Sequence, residues 1–182
     1  GGGIYRNVHL VVKDPVAVAR HGLYITTPEI SEKSAKVRVE TEVENTLDTA
    51  RKIDVKSAIF APDGKKIAER TQSLEVPAKS TAKTEAFFDV KNPALWDTES
   101  PTLYSASAEV LEKGKVLDSK ESNFGIRTIA FNPRQGFLLN GRKVLLKGSN
   151  LHHDLGALGA AVFDSELERR VKLLKSMGVN NI

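Results

Sequence analysis

The chain has 182 residues, 40% of them hydrophobic and 27% charged, the composition of a globular protein with length for one or two domains. It has no cysteine, which excludes a disulfide scaffold, a zinc ribbon and a thiol nucleophile, and no apolar run approaches the roughly 20 residues of a membrane span. The net charge of +4 is dispersed. From Lys33 to Glu44 and from Lys79 to Lys91 acids and bases interleave on the polar positions of alternating segments, which is a mixed solvated face and argues against a nucleic-acid partner.

The opening Gly1-Gly2-Gly3 is followed by no Lys-Ser/Thr pair and no helix start, so it reads as a connection and not a phosphate loop. From there to about residue 130 the dominant period is two. Ala35, Val37, Val39, Thr41 and Val43 alternate with charged residues, and Ile53-Val55-Ser57-Ile59, Thr84-Ala86-Phe88-Val90 and Tyr104-Ala106-Ala108-Val110 repeat the pattern. Each is a half-buried strand. Turn signals at Asn45–Asp48, Pro62-Asp63-Gly64, Val76-Pro77-Ala78 and Lys113-Gly114-Lys115 separate them. With Ala17 to Pro28 before and Val116 to Ile126 after, about seven strands result, as an immunoglobulin-like β-sandwich requires.

After Phe131 the pattern changes. Gly136 to Lys147 holds two short apolar runs joined by Asn140-Gly141, a strong hairpin signal, with a strand expected over Val144 to Ser149. Asp164 to Glu168 offers an N-cap with Ser165 and Glu168 at capping-box spacing. Leu167, Val171, Leu174 and Met177 then follow at helical intervals, and Gly178 is placed for a C-cap. Val179-Asn180-Asn181-Ile182 opens another apolar run. Strand, loop, helix and an incipient strand make one βα unit of a parallel architecture. A single unit cannot bury both its faces, so the chain reads as a piece of a longer protein.

Several motifs, in order, resemble family-two glycoside hydrolases, the group of β-galactosidases, β-glucuronidases and β-mannosidases. They are Gly3-Ile4-Tyr5-Arg6-Asn7-Val8; Pro93-Ala94-Leu95-Trp96 with Pro101-Thr102-Leu103-Tyr104; Phe124-Gly125-Ile126-Arg127; Leu138 with Asn140-Gly141; and Lys147-Gly148-Ser149-Asn150-Leu151-His152. The run His152 to Gly159 is most similar to the β-galactosidase branch. The resemblance implies that residues 1–12 end an N-terminal jelly-roll domain, that 13–128 form the immunoglobulin-like sandwich, and that 129–182 start a (β/α)8 barrel cut after its first unit. It also implies hydrolysis of terminal β-D-galactosides with retention. Two carboxyl groups about 5 to 5.5 Å apart perform that reaction, and in the family both are Glu on barrel strands beyond Ile182. No catalytic residue is therefore expected in these 182 residues, and the chain alone is expected to be inactive.

The resemblance assigns His152 to hydrogen-bonding sugar hydroxyls in the longer protein, against a loop histidine satisfied by backbone. A β-galactoside oligosaccharide or glycoconjugate is the implied substrate. His153-Asp154 is read as loop bracing and not a zinc site, since neighbouring side chains on an extended segment diverge. Asn150 reads as a turn side chain. No cofactor is expected here, and a Mg2+ or Na+ ion of the longer protein would take its ligands mostly from later loops. Trp96 is expected to pack between sandwich and barrel, with Arg127 in an interdomain ion pair. Two readings compete with β-galactosidase: a non-catalytic carbohydrate- or protein-binding sandwich using Trp96 and Tyr104 as a stacking platform, and a glucuronidase or mannosidase. Residues 136–182 are expected to pack back on the sandwich, to self-associate or to be partly disordered.

Overall fold

The computed structural model describes residues 4, 7–152, 155–161 and 163–182. They divide into two compact units. One is Val12–Ile129 with Leu139–Gly141; the other comprises the described residues of Gly1–Val11, Ala130–Leu138 and Arg142–Ile182.

The first unit is a two-sheet antiparallel sandwich. Its strands are β1 (Val16–Ile30), β2 (Ser34–Asn45), β3 (Arg51–Phe60), β4 (Lys66–Val76), β5 (Ser80–Lys91), β6 (Tyr104–Glu112) and β7 (Lys115–Phe124). One sheet has the order β1-β2-β5 and the other β4-β3-β6-β7. The alternation places Ala35, Val37, Val39, Ala86, Phe88, Val90, Ala106 and Ile59 in one core cluster with Tyr104, Phe124 and Ile126. Val16, Val18, Val43, Ile53, Val55, Val76 and Val110 form a second. Removing these side chains from water is the main favourable contribution, at about 1.5 to 3 kcal/mol for each large aliphatic. The strand that periodicity did not single out is β4. Its sequence KIAERTQSLEV is largely polar and mostly exposed, because it sits at the edge of its sheet, where only one flank is paired.

Two polar residues fix the ends of this core. Asn45 is buried; its Nδ2 donates to the carbonyls of Thr49, Val76 and Pro77, and its Oδ1 accepts from the amide of Leu47. The predicted Asn45–Asp48 turn is thus tied to the β4–β5 turn. Strand β1 carries a bulge between Val18 and Leu23, with His21 at φ 77° and Gly22 so near Glu42 that a Cβ would lie 2.6 Å from its carbonyl oxygen. Before the bulge, the Val18 amide donates to Asp118 Oδ2 on β7 at 2.9 Å, a side-chain acceptor reaching β1 from the opposite sheet.

The outer face of β1-β2-β5 carries the interleaved charges. Glu40 and Glu85 are direct cross-strand partners, a repulsive arrangement relieved by Arg38, which bonds both carboxylates, and by Lys83, which bonds Glu40. Lys83 foremost, with Arg38, holds the Glu40 carboxyl below the ordinary glutamate range, and Arg38 does the same for Glu85.

Beyond β7, β8 (Ile129–Asn132), β9 (Gly136–Leu139) and β10 (Arg142–Lys143) form a sheet of order β10-β9-β8. The Asn140-Gly141 turn has φ of 50° and 73°, both positive as a type I′ hairpin requires. The expected strand over Val144 to Ser149 is reduced to an isolated parallel bridge from Gly148 to Asn181. After a single 3-10 turn at Gly156–Leu158, helix α1 runs Asp164–Ser176. Its start differs from the expected capping box. Phe163 is the N-cap with no side-chain cap bond, while Glu168 pairs with Lys172 and Glu166 with Arg169. The acidic first turn, Asp164 and Glu166, meets the helix dipole instead. Its end is as expected: Gly178 at φ 85° donates to Lys175 O and the Val179 amide to Leu174 O, a Schellman closure. No residue of α1 is buried, and Val171, Leu173 and Met177 are exposed.

Candidate functional site

Four of the recognised motifs meet within the sandwich unit, around the chain's single tryptophan. The Trp96 amide donates to Ile126 O at 2.9 Å, which joins Pro93–Trp96 to Phe124–Arg127. Gly125 lies against the indole: a Cβ there would be 2.7 Å from Trp96 Cβ and 2.8 Å from Cγ. The glycine is therefore needed for close approach, since nonbonded carbons prefer about 3.5 to 4.0 Å. The Arg127 guanidinium lies 4.7 Å above the Trp96 ring, a cation–π contact. Asn140 adds a third motif. Its Nδ2 donates to Trp96 O at 3.0 Å, its amide donates to Thr128 O, and its Oδ1 accepts from the Thr128 amide. Tyr104 supplies the fourth, accepting the Ala94 amide at its hydroxyl and packing 5.8 Å from Phe124.

This arrangement removes one sequence expectation. Tyr104 is only 5% exposed, so it cannot form a sugar-stacking platform with Trp96. Motifs that look like functional signatures are here packing and hydrogen-bonding partners of one another. A shallow groove of about 460 Å3 on the four-stranded sheet, lined by Ser105, Ser107, Ser119 and Glu109 among others, contains none of the candidate residues.

The second unit holds the remaining two motifs. Lys147 and Gly148 lie beside the chain that leaves α1. The Lys147 amide donates to Asn180 Oδ1 at 2.9 Å, Asn180 Nδ2 donates to Leu145 O at 3.0 Å, and the Asn180 amide donates to Lys147 O at 3.0 Å. A Cβ on Gly148 would stand 3.0 Å from Asn181 Nδ2 and from its carbonyl oxygen, so this glycine also serves close approach. His152 follows four residues later, exposed and in a loop, as is Asn150. His153 and Asp154 lie outside the described residues, as do Gly3, Tyr5 and Arg6 of the first motif. Among the described residues no group of three or more His, Asp or Glu side chains converges as a metal would need, and no helix is long and apolar enough to cross a membrane.

Sequence reasoning passed over Asn180, which looked like part of an apolar run. The available signal was an amide side chain just beyond a helix-ending glycine.

Comparison with known proteins places these features in context. The family model described as Glycosyl hydrolases family 2 matches residues 20–127. A β-galactosidase of Bacteroides ovatus is 38% identical over 182 residues, covering 100% of this chain and 21% of that protein. A β-glucuronidase of Formosa agariphila is 34% identical over 191 residues, covering 100% of this chain and 20% of its own length. The crystal structure of a glycosyl hydrolase family 2 member from Bacteroides cellulosilyticus superposes with a TM-score of 0.86 at 33% identity, over 92% of this chain and 23% of that one. The chain thus spans about a fifth of the length of the curated relatives it matches.

Proposed function

The chain belongs to glycosyl hydrolase family 2, and from that premise we propose that it works within a longer retaining β-glycosidase acting on terminal β-D-galactosides. Residues 13–128 are the scaffold sandwich, residues 1–12 the end of a preceding domain, and residues 129–182 the opening of a (β/α)8 barrel. The observation that carries this reading is the parallel bridge between Gly148 and Asn181 on either side of α1. A strand segment, a helix and a returning parallel segment are the repeating element of such a barrel, whose loops at the carboxyl ends of the strands hold the active site.

His152 stands on the first of those loops. An exposed imidazole there donates to a glycone hydroxyl and helps hold the ring as it distorts toward its oxocarbenium-like transition state. The nucleophile and the acid/base are Glu residues outside this chain, so the 182 residues alone perform no turnover. A Mg2+ or Na+ ion of the longer protein would take its ligands mostly from later loops, and no step here passes through one.

The β-galactosidase of B. ovatus, 38% identical, supports galactoside as substrate. A second reading, β-glucuronidase, is supported by the Formosa relative at 34%. Paired assays separate them: nitrophenyl β-galactoside and nitrophenyl β-glucuronide are offered to the 182-residue chain and to the protein extended through the barrel. Saturable nitrophenol release from the galactoside by the extended protein only is the expected result. Release by the chain alone, or from the glucuronide alone, would overturn it.

A further inference from the structure

The segment leading to His152 is held chiefly by one side chain, and we infer that Asn180 is a positioning residue for the loop that begins at Gly148. A primary amide presents a carbonyl and an N–H2 with the spacing of a peptide group. Asn180 uses both on one stretch of backbone, accepting from the Lys147 amide and donating to Leu145 O. Its own amide and that of Asn181 both donate to Lys147 O. The side chain thereby replaces the neighbouring strand that Leu145 to Lys147 lack, and satisfies groups that would otherwise need water.

Two glycines make the contact available. Gly178 reverses the chain after α1 in a left-handed conformation that few side chains adopt, delivering Asn180 two residues later. Gly148 lets Asn181 approach to distances that a Cβ would oppose. The root of the loop is therefore set by the end of the helix, and His152 departs from it four residues on. Other side chains do not substitute: aspartate keeps the acceptor but turns an oxygen toward Leu145 O, and alanine loses both bonds.

This inference rests on the proposed function only in giving His152 a task; the test uses no sugar, so the two fail separately. The full 182-residue chain is compared with Asn180→Ala and Asn180→Asp by NMR, with His152 assigned through His152→Gln. Asn180→Ala is expected to accelerate hydrogen exchange at the Lys147 amide, which donates to Asn180 Oδ1, by about tenfold, as loss of a backbone-type hydrogen bond does, and Asn180→Asp, which keeps the acceptor, by less. They should also shift the backbone amide signals from Gly148 to His152, while the Val37 and Val39 amides stay protected. Asn180→Asp guards against unfolding of the unit by the larger truncation. Two results overturn the inference: unmoved Gly148 to His152 amide signals with protection lost along α1, which makes Asn180 only a helix stop, or unchanged exchange at Lys147 in Asn180→Ala.

Discussion

Gly125→Ala tests the packing of the motifs most severely. The added methyl would sit 2.7, 2.8 and 2.9 Å from Trp96 Cβ, Cγ and Cδ1, roughly 1 Å inside ordinary carbon contact. These atoms lie at the rigid base of the side chain, so relief requires displacement of the Trp96 backbone. Overpacking of this kind costs about 1 to 3 kcal/mol. Displacement also weakens the Trp96 N–H bond to Ile126 O and the Asn140 bond to Trp96 O, each worth about 1 kcal/mol, together with the Arg127 contact. A destabilisation of about 3 kcal/mol follows, lowering a urea midpoint by about 1 to 2 M. Because Trp96 is the only tryptophan, its fluorescence reports the transition and the native environment together. An unshifted emission maximum with stability changed by less than about 0.5 kcal/mol, the range of neutral surface substitutions, would refute the reasoning.

Asp118→Ala leaves the Val18 amide, on a residue only 1% exposed, without its acceptor; a loss of about 1 to 3 kcal/mol is expected in chemical unfolding, with Asp118→Asn losing less because it keeps an oxygen in place. Asn45→Ala strips one donor from three carbonyls and should cost about 2 to 3 kcal/mol, read as a lowered thermal midpoint. Glu40 titrates below its ordinary range in the folded state because of Lys83 and Arg38, so its contribution is complete above the unfolded glutamate value and is lost as pH falls through the lower folded one. Urea midpoints measured from about pH 6 to 3 should therefore fall with acidification, and Glu40→Gln should flatten that slope; an unchanged slope counts against the network.

Much of the sandwich was legible because burial imposes period two on β2, β3, β5 and β6, and each apolar position named there lies toward the core. Strand β4 was not, since an edge strand exposed over most of its length needs no apolar alternation. The Asn140-Gly141 turn was legible from its demand for two positive φ values, whereas the start of α1 was misread: Ser165 and Glu168 have the spacing of a capping box, but the chain enters the helix at Phe163. The motifs pointed to the family without disclosing why they recur together. Gly125, Trp96, Arg127 and Asn140 touch across separations of up to 44 residues, and no local pattern encodes contacts of that range. His152 was legible as a loop residue, while the hydrogen bonds that Asn180 makes to the segment before it depend on a return of the chain that only the folded unit displays.

The most direct test of the proposed role is the stereochemistry of the reaction. The protein extended through the barrel is given nitrophenyl β-galactoside in deuterated buffer, and the anomeric proton of the first-released galactose is followed by NMR. Retention predicts that β-galactose appears first and then mutarotates, with His152→Ala lowering kcat/KM by about tenfold or more while the product remains β. Appearance of α-galactose first, or an unaltered kcat/KM in the His152 variant, would contradict it.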